Sequence, residues 1–175
     1  MITKREYSIE PYNPAWPLLF QEEAEVVRGI FGEHARAIHH VGSTSVPEMQ
    51  AKPQIDILVL VDNLEVSDKH IPDFEAAGYT SFGDPFGIGA RMFSRVEGNR
   101  KLSNVHVHIP SNPYVQQFLL VRDYLRVKPE RATEYGSLKA RLSTEFPDDY
   151  QAYRDGKKGY LDEVFAEAKA YFGKE

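Results

Sequence analysis

The sequence contains no cysteine among its 175 residues. Disulfide bonds, thiolate zinc sites and cysteine nucleophiles are therefore excluded. The chain also has no apolar run long enough to span a bilayer, and its first seven residues, MITKREY, lack the apolar core of a secretory signal. These absences predict a cytoplasmic protein that has no membrane partner.

The chain also lacks an excess of positively charged residues. The chain has 21 Lys and Arg against 26 Asp and Glu, which gives a net charge of −5. We therefore expect no extended nucleic-acid surface, although a local basic pocket is compatible with this balance. Apolar residues make up 42% and charged residues 27% of the chain, which is ordinary for one globular unit with its own core.

Hydrophobic periodicity changes along the chain, and the change falls at Pro110. Before it, helical patterns at 16–32 and 66–78 alternate with strand patterns at 35–41, 55–61, 79–82, 91–96 and 105–109. After Asn112 the pattern is that of three helices with no strand. The sequence thus predicts an α+β fold: residues 1–110 form a mixed β-sheet with flanking helices, and residues 111–175 form a helical layer packed on it, as one compact unit.

A turn rich in hydroxyl groups precedes the second strand, in the stretch HHVGSTSVPEMQAKPQIDILVLV at 39–61. A glycine lets the backbone approach a ligand closely, and the amides and hydroxyls that follow can bind a phosphate oxygen. Asp56 lies within an apolar run, where a carboxylate is costly unless it meets a cation. The pattern predicts a phosphate site with a divalent ion on Asp56, and an ordinary loop is the alternative. The predicted phosphate contacts are Gly42, Ser43, Thr44 and Ser45.

His106 and His108 are two residues apart on a predicted strand, so their imidazoles face the same side of the sheet. Together with Asp56 they could form a set of three metal ligands. The alternative is that both histidines bond to core carbonyls or face solvent. His40 is a weaker candidate of the same kind.

Arginine and lysine side chains offer further phosphate contacts. Arg91 and Arg95 flank Phe93 on one strand face, an arrangement that suits phosphate binding with a base or ribose over the ring. A solvated hairpin is the alternative. Lys52 could reach the same phosphates or remain a solvated loop residue. Three cations of the helical part could line the cleft from the other side or pair with Asp123, Asp148 and Asp149, and we expect pairing for most of them; these cations are Arg122, Lys139 and Lys157.

Several blocks of the sequence resemble the GrpB family, a group of small proteins assigned to the nucleotidyltransferase fold. The matching blocks are PYNPAWP at 11–17, HVGSTSVP at 40–47, AKP at 51–53, IDI at 55–57, HVH at 106–108 and RDYL at 122–125. The resemblance implies a nucleotidyltransferase-like sheet and a nucleotide or coenzyme-like ligand. It also implies magnesium or manganese, with zinc less expected, and a catalytic role for Asp56.

One position departs from the pattern of an active transferase. Two carboxylates two residues apart on a strand share a face and together hold two metal ions, but the residue two positions after Asp56 is Leu58. Three functions therefore stay open. The chain could be a nucleotidyltransferase, a catalytically degenerate module that binds a nucleotide or other ligand, or a metal-dependent hydrolase-like enzyme that uses Asp56, His106 and His108.

Overall fold

The computed structural model describes residues 8–174, so Tyr7, the start of a predicted extended segment, lies outside the described residues. Helices and strands alternate up to His108 and helices alone follow, as the sequence predicts. The strands are β1 (Ala37–Val41), β2 (Ile55–Leu60), β3 (Tyr79–Ser81), β4 (Arg91–Glu97) and β5 (Arg100–His108). The helices are α1 (Trp16–Phe31), α2 (Glu65–Lys69), α3 (Ile71–Ala76), α4 (Pro113–Val127), α5 (Pro129–Glu145) and α6 (Tyr150–Tyr171).

Within residues 8–174 the strands form one sheet in the order β1-β2-β5-β4-β3. Strands β2 and β5 are parallel, and the other neighbouring pairs are antiparallel. Asp56 is in register with Val41 on one side and with Asn104 on the other. The two central strands therefore bring the residues of the GSTS turn, Asp56 and the HVH segment into one region of the sheet.

Alternation along the strands gives the sheet two apolar faces. Ile57, Val59 and Val105 point to one side, where they pack with Phe31 of α1 and Phe74 of α3; this side is called the α1 face. The other side carries Leu58, which packs with Val41 and with Val115 of α4. Asp56, Asn104 and His106 share this second side by alternation, and it is called the cleft face.

The helix predicted at 66–78 is divided into α2 and α3. Pro72 lies in the first turn of α3 and has no N–H to donate to the preceding turn, so the helix is interrupted at His70. Strand β5 starts at Arg100, five residues earlier than predicted, because Gly98 and Asn99 form a two-residue connection to β4. No helix within residues 8–174 is long and apolar enough to cross a membrane.

Candidate functional site

A cleft of about 570 Å³ lies between the cleft face of the sheet and the helices α5 and α6. Asp56, Asn104 and His106 line it on the sheet side. Lys139 of α5 and Lys157 of α6 line it on the helical side. The GSTS turn contributes Gly42, Ser43 and Thr44 to the same cleft, so the structure brings this turn and Asp56 together as the sequence predicts.

Gly42 and Asp56 approach each other closely at one end of the cleft. Gly42 has φ 72° and ψ −174°, a conformation that side chains other than glycine rarely adopt. A Cβ atom at this position would lie 2.7 Å from Oδ2 of Asp56. Glycine is therefore required both by the backbone conformation and by the space that the carboxylate occupies.

The hydroxyl groups after Gly42 are used mainly to hold the turn. Ser45 donates its hydroxyl proton to the carbonyl of Gly42, and Thr44 donates to the carbonyl of Gln54 at 3.3 Å. Both side chains are buried. Ser43 is half-buried and lines the cleft. Three hydroxyl groups are predicted to contact phosphate. Among the described residues, the hydroxyl groups of Thr44 and Ser45 donate to backbone carbonyls, and that of Ser43 shows no bond of this kind.

The Asp56 carboxylate is held by polar side chains of its own strand segment and of β5. Its Oδ1 accepts hydrogen bonds from Asn104 at 2.9 Å and Gln54 at 3.1 Å, and lies 3.5 Å from Nε2 of His106. Burial acts to raise the pKa of Asp56, but the contacts with His106, Asn104 and Gln54 outweigh it and leave the pKa below its ordinary value. The carboxylate therefore stays ionised at neutral pH.

The two histidines of β5 face the same side, but only His106 lines the cleft. His108 is fully buried, with its ring 5.8 Å from that of Phe118 of α4. Burial lowers the pKa of His108, and its neutral ring is part of the packing beneath α4. His40 lies on the α1 face, stacked on Phe20, and burial lowers its pKa to about 4.

The residues around Asp56 do not fit a two-ion clamp. Leu58 occupies the position of the second carboxylate and is fully buried in the apolar cluster with Val41. Oδ1 of Asp56 already accepts hydrogen bonds from two side-chain amide N–H groups. These N–H groups are donors and cannot bind a cation. Among the residues that the structure describes, no three His, Cys, Asp or Glu side chains come together as a metal site, so the predicted set of Asp56, His106 and His108 is not assembled.

The placement of Arg91 and Arg95 at the phosphate site is wrong, because both lie on the α1 face. Arg91 is in register with Val107 and forms a bidentate pair with Asp68 at 2.6 and 2.9 Å. Arg95 binds Glu23 at 3.0 Å. Phe93, between them, is buried against Phe74 with ring centroids 3.9 Å apart and has no open face for a base.

Residues other than Arg91 and Arg95 supply the positive charge of the cleft. Lys52 lines it, and its Nζ donates to the hydroxyl of Tyr150 at 2.9 Å. Arg122 pairs with Asp123 at 2.7 Å, as expected, and Lys139 and Lys157 line the cleft. Together the cationic lining residues are Lys52, Lys101, Lys139, Arg154 and Lys157, and among the described lining residues Asp56 is the one carboxylate.

Burial changes the acidity of the two helical lysines. Lys139 is 3% exposed, its Nζ donates to the carbonyl of Gln50 at 2.5 Å, and it lies 4.8 Å from the ring centroid of Tyr135. Burial, with Lys157 and Lys52 nearby, lowers the pKa of Lys139 well below its usual range. Burial and Lys52 lower the pKa of Lys157 to about 8. Asp56 acts to raise the pKa of both lysines, but burial outweighs it.

The chain matches known proteins over most of its length. The GrpB protein family matches residues 6–167. The UPF0157 protein YqkA of Bacillus subtilis is 39% identical over 168 residues, which are 96% of this chain and 49% of YqkA, so the chain spans about half the length of that relative.

Solved structures support the same grouping. The crystal structure of GrpB from Enterococcus faecalis superposes with a TM-score of 0.90 at 33% identity, over 95% of this chain and all of that one. The nucleotidyltransferase Cid1, in complex with its short product ApU, gives a TM-score of 0.51 at 11% identity over 86% of this chain and 48% of Cid1, and shows likeness of fold alone. The family and the nucleotidyltransferase-like fold implied by the sequence are confirmed: this chain belongs to the GrpB family.

Proposed function

We propose that the protein binds a phosphorylated small molecule, of nucleotide or coenzyme type, with its phosphates in the cationic cleft. One observation carries the proposal: five cationic side chains line a cleft in which Asp56 is the one carboxylate among the described lining residues. The net charge of the whole chain is negative, so this concentration of positive charge is local. A ligand with two or more negative charges complements it.

The lysines of the helical side indicate where the phosphates would lie. Lys139 is held in a buried position that disfavours its charged form, and an anion in the cleft would favour that form again. Lys157, 4.5 Å from the ring centroid of Tyr153, and Lys52, 4.6 Å from that of Tyr150, stand on the same wall. Polyphosphate oxygens can accept from several ammonium groups at once, which a single carboxylate or sulfate does less well.

Nucleotidyl transfer is the second candidate function, and the ionised Asp56 beside Gly42 favours it. A magnesium or manganese ion shared by Asp56 and the phosphates belongs to this candidate. Because the residues present do not fit a two-ion clamp, ligand binding without transfer is the function that the geometry supports best. The hydrolase-like alternative lacks its third ligand, since His108 is buried under α4.

Isothermal titration calorimetry with inorganic tripolyphosphate and with ATP, GTP, CTP and UTP tests the proposal, each in EDTA and in magnesium. We expect tripolyphosphate to bind in EDTA, and Lys157→Met to weaken it about tenfold, which corresponds to about 1.4 kcal/mol. Lys158→Met is the matched control, because Lys158 is the next residue of α6 and pairs with Asp162 outside the cleft.

Three results are informative. Equal losses in the two lysine variants would show that binding occurs elsewhere. A complete loss of binding in EDTA would favour the metal-bridged candidate. No binding of any probe would contradict the proposed function.

A further inference from the structure

Two phenylalanine rings remain largely open to solvent at the mouth of the cleft. Phe82 is 43% and Phe86 is 50% exposed, and both line the cleft. They belong to the segment 82–90 between β3 and β4, which α6 approaches through Arg154. Apolar rings of this size are usually covered, so two of them exposed within one concave site indicate a surface that a ligand covers.

The segment that carries the rings is hydrogen-bonded by two polar side chains. Asp84 accepts hydrogen bonds from the backbone N–H groups of Ile88 at 3.0 Å and Gly89 at 2.8 Å. Asn112 donates its side-chain amide to the carbonyls of the same two residues at 2.8 and 3.0 Å. These four hydrogen bonds restrain the segment, and a restrained segment loses less entropy when a ligand binds to it.

Each ring lies next to a cation of the cleft. The guanidinium of Arg154 in α6 lies over the ring of Phe86, 5.0 Å from its centroid, and Nζ of Lys101 in β5 lies over the ring of Phe82, 5.3 Å from its centroid. A planar group would stack on the ring face that the cation leaves open, and an attached phosphate would find that cation nearby. A phosphorylated aliphatic chain would use the phosphate contacts but would lack the stacking that a planar base makes on a ring face.

We propose that Phe86, with Phe82 as its neighbour, forms the subsite that stacks the base of a nucleotide or nucleotide-containing coenzyme. This inference rests on the proposed function, because it assigns the aromatic part of the same phosphorylated ligand. It moves the base from Phe93, where the sequence suggested it, to the segment 82–90. The phosphates extend inward from the rings toward Lys157 and Lys139.

The test compares each nucleoside triphosphate with inorganic tripolyphosphate by calorimetry, in the wild type and in Phe86→Ala, Phe82→Ala and Phe86→Trp. We expect Phe86→Ala to weaken the best-bound nucleoside triphosphate about tenfold, as for loss of one base stack, and tripolyphosphate less than twofold. Phe86→Trp should restore nucleotide affinity. Leu18→Ala is the matched control, because Leu18 is 62% exposed on α1, on the opposite side of the sheet.

The outcomes separate this inference from the proposed function. Binding of tripolyphosphate and every nucleotide with the same affinity would overturn the base subsite and leave the phosphate cleft intact. Equal losses of nucleotide and tripolyphosphate in Phe86→Ala would also overturn it. If the wild type binds no phosphorylated probe, the proposed function fails and the subsite fails with it. Melting temperatures would be measured for the Phe86 and Phe82 variants to establish that each one is folded.

Discussion

The carboxylate of Asp56 occupies the space in which a side chain on residue 42 would begin. Oδ2 lies 2.7 Å from the position of a Cβ on Gly42, and Val41, the residue before this glycine, is the strand partner of Asp56. The turn and the acid are thus fitted to each other, and a side chain cannot be added at residue 42 without moving the Asp56 carboxylate.

Gly42→Ala should lower the free energy of unfolding by about 2–4 kcal/mol, because it combines a backbone conformation restricted to glycine with a contact against the Asp56 carboxylate. Urea denaturation measures this loss. Gly29→Ala is the control: Gly29 lies within α1 with no atom within 4 Å of its added Cβ, so alanine should stabilise the protein by about 0.5–1 kcal/mol. A Gly42→Ala protein as stable as the wild type would contradict the close fit.

Leu58→Asp should not create a working metal clamp. Leu58 is fully buried with Val41 and Val115, so a carboxylate there would lose apolar packing and stand without a partner in an apolar cluster. We expect a loss of at least about 3 kcal/mol in the free energy of unfolding. Leu58→Met, which conserves volume, should cost less than about 1.5 kcal/mol. A stable Leu58→Asp protein that gains transferase activity would show that only the second ligand was missing.

Incubation with labelled ATP, GTP, CTP or UTP, a generic acceptor and magnesium or manganese should yield no nucleotidyl transfer above background. The physical reason is that β2 offers one carboxylate, Asp56, where two are needed to hold two metal ions, and its Oδ1 already accepts hydrogen bonds from Asn104 and Gln54. Asp56→Asn, assayed in parallel, defines the background. Robust turnover that disappears in this variant would mean that another acid completes the site, and that the protein is an active transferase.

Binding of tripolyphosphate should weaken as the pH rises above 8. Burial and Lys52 lower the pKa of Lys157 to about 8, so below this pH the free protein carries the ammonium group that the anion needs. Above it, binding must be accompanied by uptake of a proton, which costs about tenfold in affinity at pH 9 for one such group. Lys157→Met should show a flatter profile between pH 7.5 and 9. An equally steep decline in both proteins would assign the titration to another group.

Alternation along strands was sufficient to predict which side chains share a face, but not which face forms the cleft. His106 and His108 share a side, and so do Arg91 and Arg95, as their spacing requires. The register of β4 with β5 determines which face Arg91 and Arg95 lie on. Arg91 is opposite Val107, which packs in the apolar cluster on the α1 face. This register is a tertiary property that depends on the bulge between Arg95 and Val96 and on the packing of α1.

The cleft-lining residues of α5 and α6 also show that spacing predicts a shared face but not what that face meets. The positions of Arg154, Lys157 and Leu161 place them on one face of α6, and Tyr135 and Lys139 share a face of α5 by the spacing of four residues. Helical spacing alone does not tell whether such a face meets solvent, an aspartate or a cleft. The docking of α5 and α6 over the sheet determines this, and it also leaves His106 in the cleft while α4 covers His108.

The parallel pairing of β2 with β5 has a consequence for the order of folding. Strands β4 and β5 are joined by two residues and can pair locally, whereas Asp56 and Asn104 are 48 residues apart in the chain. Closing so long a loop costs entropy before its contacts form, so we expect the hairpin to precede the pairing of β2. The polar contacts around Asp56 would then be completed late on the folding pathway, and their removal would accelerate unfolding more than it slows folding.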